Sequence, residues 1–317
     1  MKSRRTLARV AAVLAYLATG TAHAADATTT TTPDVSAPLD VSALAASRER
    51  LYVGAFDQGL YVLEHGRALR PVVDPALSQH INALAWSERE HVLWVGSARG
   101  LTRCPAGKSC TRLGPESGVH ALAIAASGAV IAGGDAGLVF VEGDRVRTYG
   151  KKDGAPFRSV WALVEVGGRL FAGTTSGLFW GAPAAFSGKH EALGRAAIVL
   201  GTLPDDWVTA LGYDGDRLLV GTYSAGVAEF RNTDSGLSPV GLDTALGYVN
   251  PAGIAVLGAD CVAVSTMDGL KLGRLNGTVS IRTRARDVTA FVPNPNGGFW
   301  IGTRAGVESW AGDCPSS

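Results

Sequence analysis

The chain has 317 residues, of which 46% are hydrophobic and 18% charged, and its formal net charge is +1. This balance gives no electrostatic reason to expect a nucleic acid or an anionic membrane surface as a partner. The 41 glycines are typical of a chain with many tight turns between buried strands.

Residues 1–24 are predicted to be a signal peptide. Three basic residues lie near the start, an apolar run covers residues 10–17, and residues 22–24 read Ala-His-Ala, a small-x-small cleavage pattern. Export by the general secretory route and by the twin-arginine route both remain open. We therefore expect a periplasmic or secreted protein whose mature chain has no apolar stretch long enough to cross a bilayer.

Seven versions of one phrase follow, of the type Leu-Trp-Val-Gly-Ser-Ala-Arg-Gly-Leu at residues 93–101. They recur about every 40 residues, which is typical of a radial β architecture with one four-stranded blade per repeat. A second glycine, four or five residues after the first, suits a turn residue with positive φ. The first glycine position of each phrase is Gly54, Gly96, Gly133, Gly173, Gly221, Ser265 or Gly302.

A second phrase, of the type Val-x-Ala-Leu, precedes each first glycine by 13 to 15 residues. It predicts the inner strand of each blade, followed by the glycine-phrase strand, a strand opening at the second glycine, and a variable outer strand. We therefore predict an all-β fold, a single seven-bladed β-propeller with four-stranded antiparallel blades, over residues 39–317. The second phrase starts at Val41, Ile81, Val119, Val160, Val208, Pro251 and Val288.

Together, the two phrases resemble the two-component regulator propeller repeat over about residues 41–310. The resemblance implies a seven-bladed propeller of the kind found, often duplicated, in periplasmic sensors of hybrid histidine kinases that respond to carbohydrate. This chain differs in having one propeller, Ser265 in place of a glycine, and no kinase or response-regulator segment. We therefore expect any sensing role to need a separate partner, such as a membrane sensor.

Closure of the ring and four cysteines add two further predictions. The seventh repeat has only three predicted strands, so residues 25–38 are predicted to be a linker that supplies a closing strand, from about residue 33. Cys104 and Cys110 flank a turn-rich loop and predict a local disulfide. By elimination Cys261 and Cys314 would form a second disulfide between the sixth repeat and the tail, with free thiols as the alternative.

The second residue of the inner-strand phrase differs from repeat to repeat, which favours a role other than packing. We expect these side chains to face the central channel and, apart from the alanine, to bind a ligand; the alternative is a channel lining solvated by water. The set is Ser42, Asn82, His120, Trp161, Thr209, Ala252 and Thr289.

The loops leading into the inner strands supply a second set of candidate ligand-binding residues. Aromatic faces beside carboxylates and hydroxyls suit a sugar or a peptide. His80, His120 and Glu116 could also form an acid/base pair. The candidates in these loops are His80, Arg158, Asp206, Trp207 and Tyr248.

Enzyme signatures are missing from the sequence, which has no nucleophile elbow, phosphate-cradling loop, or zinc or calcium motif. We therefore predict neither a cofactor nor a metal. The function we expect is that of an exported, monomeric binding module for a small ligand, a glycan or a protein partner, acting as an accessory of a sensor. The alternatives are an enzyme resembling the propeller polysaccharide lyases and a scaffold in an envelope complex.

Overall fold

A computed structural model describes residues 38–64, 67–187, 193–258, 261–274 and 288–310. These residues form 26 strands in seven antiparallel sheets, and within each sheet the strands pair in sequence order. Each inner strand contacts the inner strands of both neighbouring blades, and the first inner strand contacts the last. The predicted seven-bladed β-propeller is therefore confirmed.

Blades 1 to 5 have four strands each, and the described parts of blades 6 and 7 have three. Blade 1 has β1 (Val41–Ala46), β2 (Arg50–Ala55), β3 (Gly59–Glu64) and β4 (Arg70–Val72), and blade 2 has β5 (Ile81–Ser87), β6 (Val92–Ser97), β7 (Gly100–Pro105) and β8 (Thr111–Leu113). Blade 3 has β9 (Val119–Ile124), β10 (Val130–Gly134), β11 (Gly137–Glu142) and β12 (Arg145–Tyr149), blade 4 has β13 (Val160–Val166), β14 (Arg169–Thr174), β15 (Gly177–Gly181) and β16 (Gly194–Ala196), and blade 5 has β17 (Val208–Tyr213), β18 (Arg217–Thr222), β19 (Val227–Thr233) and β20 (Gly236–Asp243). Blade 6 has β21 (Val249–Gly258), β22 (Cys261–Thr266) and β23 (Gly269–Arg274), and blade 7 has β24 (Val288–Pro293), β25 (Phe299–Thr303) and β26 (Gly306–Trp310).

The glycine phrase forms a turn closed by a hydroxyl. In blade 5, Oγ1 of Thr222 donates to the carbonyl of Gly226 (2.9 Å), and Gly226 has φ 78°. A side chain is disfavoured at that φ, so the second glycine is required by the turn. The same hydroxyl-to-glycine bond forms at Ser97, Thr174, Thr266 and Thr303.

The first glycine of the phrase lies where two blades touch, and the ring closes at such a contact. A methyl group on Gly302 of blade 7 would lie 2.4 Å from Cγ1 of Val41 in blade 1. Val41 is fully buried in a cluster that joins Leu39 and Val53 of blade 1 to Val307 of blade 7. The inner strands of the first and last blades therefore pack directly on each other.

Blade 6 departs from the predicted register. Val249 pairs with Thr266 as Val208 pairs with Thr222, so the inner strand begins at Val249 and not at Pro251. The ring position of this blade is Asn250, and the expected residue, Ala252, is exposed in a bulge with φ 53°. The assignment of Ala252 was wrong because a proline, which has no N–H for the ladder, introduces a wide bulge that shifts the phrase.

One of the two predicted disulfides lies within the described residues: Cys104 and Cys110 are bonded. Cys261 is also disulfide-bonded, but Cys314 lies outside the described residues, so that pairing stays a prediction. The predicted signal peptide (residues 1–24) and most of the predicted linker and closing strand (25–38) lie outside them too. No helix in the described ranges has the length and hydropathy of a membrane span.

Candidate functional site

The loops into the inner strands and the turns of the glycine phrase meet on one face of the ring. The first residue of each inner strand pairs with the last residue of the next strand, as Val208 pairs with Thr222. The residues just outside that pair are also joined, since the N–H of Tyr223 donates to the carbonyl of Trp207 (2.9 Å). We call this side of the propeller the upper face.

In four blades the ring-position side chain links its blade to the next one. Each donates to the main-chain carbonyl of the first inner-strand residue of the following blade, which satisfies an acceptor at the blade junction. We call these four bonds the girdle. They run from Ser42 to Ile81 (2.5 Å), from Asn82 to Val119 (3.0 Å), from Thr209 to Val249 (2.7 Å) and from Asn250 to Val288 (2.5 Å).

The remaining ring positions behave differently. Thr289 donates within its own blade, to the carbonyl of Gly302 (3.2 Å). Nε2 of His120 donates to Oδ1 of Asp135 (2.8 Å), and the imidazole stacks on the indole of Trp161 with ring centres 4.2 Å apart and planes 3° apart. Within the described residues His120, Trp161 and Thr289 contribute no girdle bond, so the girdle is interrupted at blades 3 and 4 and again at blade 7.

At the interruption in blades 3 and 4 begins a row of aromatic rings on the upper face. Trp161 meets Trp207 edge-on (5.6 Å), Trp207 stacks on Tyr223 (4.3 Å, 9°), and Tyr223 meets Tyr248 edge-on (5.1 Å). Stacked and edge-on pairs are the favourable arrangements of aromatic quadrupoles. We call His120, Trp161, Trp207, Tyr223 and Tyr248 the aromatic arc, which passes from blade 3 to the start of blade 6.

The arc combines apolar surface with polar edges. Tyr223 is 45% exposed and the other four residues are half-buried. Burial, with a smaller contribution from Tyr223, raises the pKa of Tyr248, so its hydroxyl stays neutral and able to donate. Nε1 of Trp161 and Nε1 of Trp207 are buried and have no hydrogen-bond partner in the described part of the chain.

A carboxylate holds the Trp207–Tyr223 part of the arc in place. Oδ1 of Asp205 accepts from the N–H of Trp207 (2.9 Å), and its Oδ2 accepts from both the N–H and the hydroxyl of Ser224 (2.8 Å each). Asp206, a predicted ligand-binding residue, accepts instead from the N–H of Ile198 (2.7 Å) and so orders the same loop. The stacked pair Trp207–Tyr223 is therefore positioned before any ligand arrives.

The other predicted candidates are not brought together with the arc. His80 lies 3.1 Å from Asp57 and edge-on to Phe56, at the junction of blades 1 and 2. Glu116 accepts from Arg112 (3.0 Å) and not from a histidine. The acid/base pair of His80 and His120 with Glu116 therefore does not form, and Arg158 is exposed on its loop.

Tyr223 and Asp135 are the site residues that sequence reasoning missed. Both follow the last residue of the glycine-phrase strand, a position that varies from blade to blade and faces upward. Alignment of the repeats at that position would have found them, because it is as chemically mixed as the ring position. In blades 1 to 7 the residue at this position is Phe56, Ala98, Asp135, Thr175, Tyr223, Met267 and Arg304, respectively.

The arrangement is suited to binding flat, partly apolar groups. Across the described ranges, no three histidine, cysteine or acidic side chains are grouped so as to hold a metal ion. A row of ring faces with tyrosine hydroxyls at its edge can cover the apolar face of a ring-shaped ligand and bond its rim. The fold and this face together define a seven-bladed β-propeller with an aromatic upper surface.

Comparison with solved structures places the fold among β-propellers. No protein-family model and no curated protein matches the chain. The extracellular domain of the hybrid two-component system BT4673 from B. thetaiotaomicron matches with a TM-score of 0.69 and 15% identity, over 87% of this chain and 38% of that one. The corresponding domain of BT3049 matches with 0.69 and 15%, over 86% and 40%.

PorZ, an essential surface component of the type-IX secretion system of Porphyromonas gingivalis, matches with a TM-score of 0.64 and 14% identity, over 89% of this chain and 39% of that one. The chain thus spans about two fifths of the length of these proteins. At such identities the likeness shows the fold alone. At that level it confirms the resemblance of the repeat phrases to the propellers of two-component systems.

Proposed function

We propose that the protein is an exported recognition domain of the sensor type, which binds a glycan across the aromatic arc. The observation that carries the proposal is the continuous row from His120 to Tyr248, which occupies the ring positions of blades 3 and 4, where girdle bonds are missing. Aromatic planes cover the apolar face of a sugar ring, while the phenol groups of Tyr223 and Tyr248 bond its hydroxyls. The likeness to extracellular domains of two-component systems supports this role.

The way in which the histidines and carboxylates of the upper face are paired favours binding over catalysis. The histidines on the upper face each pair with one exposed carboxylate, Asp57 for His80 and Asp135 for His120. A lyase-type site needs a base and an acid that converge on one point between them. The upper face instead gathers aromatic rings, and its nearby carboxylates Asp205 and Asp206 are used to hold a loop.

Replacement of Trp207 by alanine is expected to weaken glycan binding at least tenfold. Trp207 contacts both Trp161 and Tyr223, so its loss breaks the arc at its centre and removes a stacking surface worth about 0.5–1.5 kcal/mol beyond the apolar area that it buries. The measurement is titration of the mature protein with neutral cello-, xylo-, malto- and chito-oligosaccharides, followed by tryptophan fluorescence and calorimetry.

Phe56→Ala is the matched control, because Phe56 is an exposed aromatic residue on the same face and lies outside the arc. It should bind the active oligosaccharide as the unaltered protein does. If none of the sugars shifts the fluorescence or the melting temperature, or if Trp207→Ala binds normally, the proposal is wrong.

A further inference from the structure

A cavity of about 450 Å³ lies between blades 5 and 6, and no residue of the aromatic arc lines it. Its volume is in the range of small-molecule sites. Most of its wall is apolar and comes from facing strands of the two blades. The apolar side chains are Leu219, Val227, Leu242, Leu246, Val262 and Val264.

One wall of this cavity carries the ammonium group of Lys271, on β23. The side chain of Lys271 is only 7% exposed, and the acidic atom paired with Nζ, Oδ2 of Asp268, is 3.9 Å away on an exposed side chain. That separation is too long for a hydrogen bond. Within the described residues Nζ has no hydrogen-bond acceptor, so its donors are free to bond an anionic ligand.

The two other charged groups in the wall, Glu229 and Asp243, both have partners, and Oδ1 of Asp243 accepts from the N–H of Ala245 (3.0 Å). Oε1 of Glu229 lies 3.6 Å from Nη1 of Arg217, and both side chains are largely buried. Burial raises the pKa of Glu229, and the charge of Arg217 acts in the opposite direction. Lys271 is therefore the cation among the described lining residues, and its ammonium has only the distant carboxylate of Asp268 beside it.

We propose that this cavity is a second binding site, which takes a small molecule with an apolar body and a carboxylate. The carboxylate accepts hydrogen bonds from Nζ of Lys271, and the apolar body lies against the valines and leucines of blades 5 and 6. Such a ligand supplies both things the cavity lacks, an acceptor for the ammonium and apolar contacts. The site is independent of the glycan site on the upper face.

Octanoate is a suitable probe, used with the mature chain below its micelle-forming concentration. We expect octanoate to raise the melting temperature and to bind with measurable heat. 1-Octanol and octylamine have the same chain but lack the carboxylate, so both should bind at least tenfold more weakly. Equal binding of octanol and octanoate by the unaltered protein would overturn the proposal, and this comparison needs no variant.

Lys271→Met tests the role of the ammonium, because methionine keeps an unbranched side chain and removes the charge. The variant should lose at least tenfold in octanoate affinity and bind octanoate no better than octanol. Its melting temperature without probe should not fall, since a poorly paired buried charge is removed. Unchanged octanoate affinity would contradict the assignment.

Two further variants locate the probe and separate this site from the glycan site. Val264→Trp should fill the cavity and abolish octanoate binding, whereas Trp207→Ala should leave it unchanged. Loss of octanoate binding in Trp207→Ala would place the probe on the upper face and overturn the cavity assignment. Failure of the glycan titrations alone would leave this proposal standing.

Discussion

Gly302→Ala is expected to lower the free energy of unfolding by about 1–3 kcal/mol, the usual cost of extra volume in a packed core. The added methyl would lie 2.4 Å from Cγ1 and 2.9 Å from Cβ of Val41, both inside van der Waals contact. Val41 is fully buried at the junction of the first and last blades, so it has little room to move. Urea unfolding followed by tryptophan fluorescence measures the change.

Two further variants make the cause specific. A Val41→Ala background removes Cγ1, the nearest clashing atom, and leaves only Cβ, so Gly302→Ala should cost less there and the double-mutant cycle should show a coupling energy. Gly241→Ala is the matched control, because the nearest heavy atom to its added methyl, Oε2 of Glu229, is 4.0 Å away. It should change stability by no more than about 0.5 kcal/mol. If both alanine variants are equally destabilised, the seam contact is not the cause.

Thr209→Val is expected to cost about 1–3 kcal/mol, because it removes a girdle bond while it keeps the shape of the side chain. The hydroxyl of Thr209, a residue only 1% exposed, donates to the carbonyl of Val249 in the next blade (2.7 Å). Water has no access to replace that donor, so the carbonyl loses the bond without compensation. Thermal and urea unfolding of the variant measure the loss.

Thr289→Val provides the control at the same ring position. Thr289 is half-buried and its hydroxyl donates within its own blade, so its replacement breaks no bond between blades. We expect a cost of at most about 0.5–1 kcal/mol. Equal losses at Thr209 and Thr289 would show that the link between blades contributes nothing beyond a local hydrogen bond.

The propeller could be predicted from the sequence because its repeat is enforced by contacts that recur. One such contact is the packing of a first glycine, such as Gly302, against Val41; another is the closure of a turn by a hydroxyl, such as that of Thr222. Each requires one residue type at one spacing. The prediction of the ring position failed in blade 6, where the residue types of the inner-strand phrase are different. Pro251 opens a bulge in blade 6, so the ring position moved from Ala252 to Asn250.

The candidate site was predicted only in part. His120, Trp161, Trp207 and Tyr248 were identified as chemically distinct, and they are in the arc. The sequence could not show which mixed positions serve the fold, because a serine or threonine that donates to the next blade looks like one that faces a ligand. It also could not show that Tyr223 stands between Trp207 and Tyr248, since that contact depends on how the turn folds back over the loop.

The gap in the girdle has a mechanical consequence. At blades 3 and 4, where girdle bonds are missing, the ring positions are linked by aromatic contacts from His120 to Trp207, in addition to the packing of the inner strands. A rigid ligand bound across blades 3 to 5 would link these blades, so that its binding makes the whole ring of blades more rigid. Amide exchange in β9, β13 and β17 should then slow together on binding. A neighbouring protein would then detect a change in the rigidity of the ring of blades rather than a change in its shape.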